Sequence, residues 1–189
     1  MATEATSQPV LRWRLVVALG VGSAVSIALG SYGRLHDPTR HALFTLFFTR
    51  TLNMKAWLAT LALALGGVQV VTALRMYGRL GWPRTLPPWW GDLHRLTGTL
   101  AFIVSLPVAF HCLWSLGFKA HASQTRVFVH SVLGCAFYGA FAAKMVVVRS
   151  REAPDWALPV IGGAVFSVLV GLWLTSSLWF FRHHGFPAV

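Results

Sequence analysis

Three histidines, His94, His111 and His130, fall within apolar stretches of a 189-residue chain. A bare imidazole in hydrocarbon is costly, so an ionisable side chain at that depth points to function. His111 lies in SLPVAFHCLWSLGF and His130 in VFVHSVLGCAFYGAFAAK, with a short polar break, KAHASQTR, between them. His111 sits six residues before Gly117, where its run ends, and His130 four after Arg126, where the next begins. At ~1.5 Å of rise per residue, they lie roughly 9 and 6 Å from the same membrane face. Antiparallel neighbouring helices would therefore bring the two imidazoles to matching depth. Two neutral histidines opposed at one level can supply both axial ligands of a b-type haem iron.

The surroundings of that pair are read the same way. Gly134, with Phe137 and Phe141 further along, shares a helix face with His130. Its missing side chain leaves room for a porphyrin edge, and Pro107, one turn before His111, bends its helix away to widen the gap. Arg126, near His130 and the interface, either pairs with a haem propionate or snorkels as an anchor. The competing role for both histidines is polar glue, an imidazole bonded to a hydroxyl or carbonyl of the next helix.

His94 opens its helix as HRLTG, an echo of HSVLG around His130. The His-x-x-x-Gly spacing invites a second haem near the opposite face, with Arg95 toward its propionates. Seventeen residues separate His94 from His111, ~25 Å along a helix but roughly 100° around it. No second histidine matches its depth; Met145 and Met76 are the soft side chains at that end. A histidine resting among lipid headgroups is the alternative.

The elements that must position these residues are membrane helices. The chain is 56% hydrophobic and only 11% charged, with a mean hydropathy of +0.61. That charge content is less than half the ~25% usual in soluble domains. Apolar runs of ~20 residues are long enough to span hydrocarbon. They predict an all-α, single-domain integral membrane bundle of five transmembrane helices, at about 15–32, 56–77, 93–117, 127–148 and 157–181. A cleaved signal peptide ending near Ala28-Leu29-Gly30 is the alternative for the first run. Residues 1–9 read as a cytoplasmic tail. ALFTLFFTR, after His41, reads as an interfacial segment with His36 and His41 wet at the surface. Gln69 should face the bundle, Gly66-Gly67 should allow close helix approach, and Trp89 and Trp90 fit an aromatic belt.

A formal net charge of +11 would suit nucleic acid, but the basic residues cluster at the ends of apolar runs, where they contact lipid headgroups. That placement excludes nucleic-acid binding. With the N-terminus inside, nine of the sixteen Lys and Arg fall inside, including Lys144 and Arg151, against seven outside, including Lys119. The excess points to a cytoplasmic N-terminus in the plasma (inner) membrane. The two cysteines, Cys112 and Cys135, form neither CxxC nor CxxCH, so covalent haem attachment and a cysteine-rich metal site are excluded.

HRLTGTLAF, SLPVAFHCLW and HSVLGCAFYGAFAAKM together resemble a family of small actinobacterial membrane proteins of unassigned function, over about residues 90–149. More loosely the chain is similar to membrane cytochromes b and ferric-reductase-like transmembrane proteins, whose helices carry haem-ligating histidines. Those usually hold paired histidines on each of two helices, where this chain has His94 and His111 on one and His130 on the other. The resemblance implies haem b, an electron-transfer role rather than a stand-alone enzyme, and a Rieske-type iron–sulfur protein as electron partner. Quinone is a further candidate partner. The alternatives are a non-haem accessory subunit of a redox complex, or a small transporter with Gln69 and the histidines as a relay.

Overall fold

In hydrocarbon every backbone N–H and C=O must find its partner within the segment, and a continuous helix achieves this. The computed structural model describes residues 7–118, 125–150 and 153–186, and all regular structure among them is helical. Helix α1 is Ser7–Leu35, α2 is Thr51–Met76 and α3 is Trp90–Phe110, continued by a π-helical turn over His111–Leu116. Helix α4 is Thr125–Arg149. Helix α5, Ala157–Trp173, passes through a second π-helical turn, Leu174–Leu178, to a last helical turn ending at His184. Each of the five is long and apolar enough to cross a membrane. The expected bundle is therefore present, though α1 is longer at both ends than anticipated and runs unbroken through Ala28–Gly30. The first six residues of the anticipated tail, together with Lys119 and Arg151, lie outside the described residues.

Small residues set the packing, because lipid gives helices no hydrophobic reason to associate. Helices α1 and α4 meet at Gly22 and Gly139, where a Cβ on Gly22 would stand 2.7 Å from the Gly139 carbonyl oxygen. Ser26 Oγ donates to the Cys135 carbonyl nearby, at 3.1 Å. Helix α2 packs on α3 and also on α5, against which Gly66 leaves no spare room: its Cβ would lie 3.0 Å from Leu169. Gly67 has nothing near it. Helix α4 packs on α5. The order around the bundle is thus α3, α2, α5, α4, α1.

Helices α3 and α4, consecutive in sequence and anticipated as packed neighbours, do not pack backbone to backbone. Long side chains bridge them instead. Phe102 stacks on Phe141 with centroids 4.4 Å apart, and Ser105 shares a 2.8 Å hydrogen bond with Tyr138.

Residues 39–41 pack on the end of α3. Their backbone N–H groups cap the end of α3, whose last carbonyls have no helical partner. Thr39 and Arg40 donate to the carbonyls of Trp114 and Ser115, and Ser115 Oγ donates back to the His41 carbonyl. His36, anticipated as wet, is stacked between Tyr32 and Trp114, with Nε2 buried and unbonded; His41 is exposed. Trp90, anticipated in an aromatic belt, is buried, and its indole N–H donates to the Thr72 carbonyl, whereas Trp89 is exposed.

Candidate functional site

The space left between α3 and α4 is a partly open cavity of about 150 Å³. Ala59 and Ala62 of α2, Val108 and Ala109 of α3, Gly134 of α4 and Leu169 of α5 give it small, apolar walls. The enclosed volume takes about one six-membered ring. At Gly134 an ideal Cβ would meet nothing within 4 Å, so the free space continues along α4. The Ser105–Tyr138 pair lines the cavity, with the Phe102–Phe141 stack beside it. Lys55, Cys112 and His130 bring the reactive chemistry.

His130 is held from behind. Thr175 on α5 donates its hydroxyl proton to the Gly171 carbonyl one turn back, at 2.8 Å. Its oxygen is then an acceptor for His130 Nδ1–H, 3.1 Å away. In a neutral imidazole that bond leaves the lone pair on Nε2, on the cavity side. A metal-binding histidine is commonly oriented in this way, with its other nitrogen donating to an oxygen. The π-helical turn at Leu174–Leu178 breaks the regular ladder here, and the Thr175 carbonyl accepts from Arg126 instead. Arg126, anticipated beside a propionate, lays its guanidinium 3.9 Å above the Trp179 ring. It therefore steadies Thr175, which in turn steadies His130.

His111 has the same tautomer but another outlook. Its Nδ1–H donates to the Pro107 carbonyl at 2.9 Å, and a carbonyl can only accept, so Nε2 carries the lone pair. The side chain is fully buried, Nε2 has no partner, and the ring meets Phe44 edge-on at 4.6 Å. His111 is not among the cavity-lining residues, so His111 and His130 are not brought together there. The residue that reaches the cavity is Cys112, with Sγ 4.0 Å from His130 Nε2. Consecutive helical residues point ~100° apart, so His111 and Cys112 cannot both face α4.

Two cavity residues, Cys112 and Lys55, were not among the candidates drawn from the sequence. Lys55 and Cys112 line the same cavity. A lysine five residues into an apolar helix was the available signal. Thr175 gave none.

His94 lies elsewhere, half-buried between α2 and α3. Thr72 Oγ1 donates to the Val68 carbonyl and accepts from His94 Nδ1–H at 2.7 Å. The Gln69 amide donates to the His94 carbonyl and to Thr97 Oγ1, so Gln69 does face the bundle. Gly98 makes room for that amide: a Cβ there would stand 2.8 Å from Gln69 Oε1. Arg95 is exposed and bonded to Asp92, and Met76 is exposed. Lys144 of α4 is half-buried.

Among the described residues, no group of three or more His, Cys, Asp or Glu could hold a bare metal ion. A haem asks less, because the porphyrin supplies four nitrogens and the protein only the axial ligands. The Nε2 of His130 could supply one such ligand, but the enclosed volume, about one six-membered ring, is smaller than a porphyrin, which would have to extend into the open space at Gly134. No curated protein and no solved structure matches the chain. A family model does match, over residues 15–188, and the chain belongs to that family, DUF6529, a family of unknown function.

Proposed function

We propose that this protein is a b-type haem protein of the membrane that passes electrons within a respiratory or redox chain, with His130 as an axial ligand in the α3–α4 cavity. One observation carries the reading. His130 is tied through Nδ1 to Thr175, which leaves its Nε2 facing a largely apolar cavity. Haem, when bound, supplies reversible one-electron exchange at its iron. The chain's own part is to hold and screen. Thr175 and Arg126 fix the ring of His130, and Gly134 leaves space beside it. A Rieske-type iron–sulfur protein or a quinone is the electron partner that goes with this reading.

A non-haem accessory subunit is the second reading. It is favoured by the His94 end, where imidazole, Gln69, Thr72 and Thr97 form interhelical hydrogen bonds, as packing polar groups do.

Pyridine haemochrome assay of the protein purified in detergent separates the two. About one haem per chain is expected, and its absence would leave the accessory reading. A cytoplasmic N-terminus with five spans puts the C-terminus outside. A C-terminal reporter active only in the periplasm should then give signal, and signal from a cytoplasm-active reporter alone would reverse the orientation.

A further inference from the structure

The α3–α4 cavity is apolar along its middle and carries hydroxyl groups at both ends. We infer that its enclosed part binds a lipophilic para-hydroquinone, whose two hydroxyls bond Tyr138 at one end and Ser176 at the other. A porphyrin would lie in the open space at Gly134, which leaves the enclosed part free. That this ligand serves as electron partner rests on the reading above; that it binds does not.

Three observations converge on it. The first is size: an enclosed volume of about 150 Å³ takes about one six-membered ring. The second is the distance between the ends. Tyr138, bonded to Ser105, packs in the cluster that holds Leu169. Leu169 and Ser176 both line the cavity from α5, and the seven residues between their positions rise ~10 Å. The two oxygens of a para-dihydroxy ring lie ~5.5 Å apart, and an O–H···O bond of ~2.7 Å at each end extends that span to ~11 Å.

The third is the sense of the hydrogen bonds. Ser105 Oγ donates its proton to the Phe102 carbonyl at 2.7 Å, so Tyr138 is the donor in the bond the two share. The Tyr138 oxygen keeps lone pairs and no spare proton. Ser176 likewise spends its proton on the Leu172 carbonyl, at 2.6 Å. Both hydroxyls can therefore only accept, and a ring with an O–H at each end answers them. A quinone carbonyl would set lone pair against lone pair at both. Lys55 lines the Ser176 end, since its neighbour Ala56 packs on Phe180, and an ammonium can donate to the same ligand hydroxyl. Access suits a lipid. Helix α1 packs along α4 and not along α3, so an alkyl tail can leave past Leu29 into hydrocarbon.

The test is calorimetric titration of the full-length protein in detergent under argon, against matched detergent blanks. Three probes are compared: decylhydroquinone, its quinone, and decylresorcinol, whose hydroxyls are meta. The wild-type protein should bind the hydroquinone about tenfold or more tightly than either of the others, a result that needs no variant to fold. Tyr138→Phe and Ser176→Ala should each weaken that binding about fivefold, the scale of one lost hydrogen bond, at unchanged helix content and unchanged haem per chain. No binding, equal affinity for hydroquinone and quinone, or indifference to both substitutions would overturn the site and leave the haem reading standing. Selective hydroquinone binding by a protein that carries no haem would support the site and remove the haem reading alone.

Discussion

The two ends of the bundle carry the same local device and put it to different use. At one end His94 donates Nδ1–H to Thr72 of the neighbouring helix, and at the other His130 donates to Thr175. In both, the threonine spends its own proton on the carbonyl four residues back, Val68 or Gly171. Each histidine is followed four residues later by a glycine. What differs is the tenant of that glycine's empty side. Gln69 fills the place beside Gly98, and nothing stands beside Gly134. A glycine one turn from a buried histidine is therefore neutral evidence until the facing helix is known, since the same gap serves to pack a partner or to admit a ligand.

Replacing the histidines should separate the two ends most sharply. His130→Ala should lower haem per chain about tenfold or more, whereas His94→Ala should leave it unchanged, by pyridine haemochrome. Equal losses would mean that both ends hold haem. Next come the glycines. Gly134→Leu should reduce haem occupancy several-fold at constant helix content by circular dichroism. Gly98→Leu should keep the haem and lower the unfolding temperature, because it displaces the Gln69 amide. A weaker effect is expected from the threonines behind the rings. Thr175→Val should weaken haem retention by roughly tenfold, the scale of a lost outer-shell bond. Thr72→Val should leave haem alone and cost about 1 kcal/mol in unfolding, near the average for polar contacts between membrane helices. The smallest change should follow Gln69→Leu, also about 1 kcal/mol or less and confined to stability; loss of haem there would show that the two ends are coupled.

The number of helices was legible in the sequence, and direction around each helix was not. Runs of about twenty apolar residues sufficed to count five helices, because hydrocarbon leaves the backbone no other choice. They also placed His111 and His130 at similar distances from one face. The π-helical turn that begins at His111 leaves no trace in hydrophobic periodicity, and one residue of rotation exchanges His111 for Cys112 at the cavity wall. The adjacency of α3 and α4 was misjudged for a related reason. A short loop brings helix ends together, but Phe102, Tyr138 and Phe141 are large enough to hold the backbones apart. Lys55 was overlooked because a basic residue near a helix start usually reaches for headgroups, and here it turns inward.

The near-absence of carboxylates in the spans bears on what can cross this bundle. Lys55 and Lys144 stand within it, and Asp92 at the start of α3 is its one acid. A cation in the bundle would meet these ammonium groups with Asp92 as the one carboxylate of the spans. An electron meets the opposite field: adding negative charge to the interior is eased by ammonium groups already there. The scarcity of acids thus biases the interior of the bundle toward added negative charge.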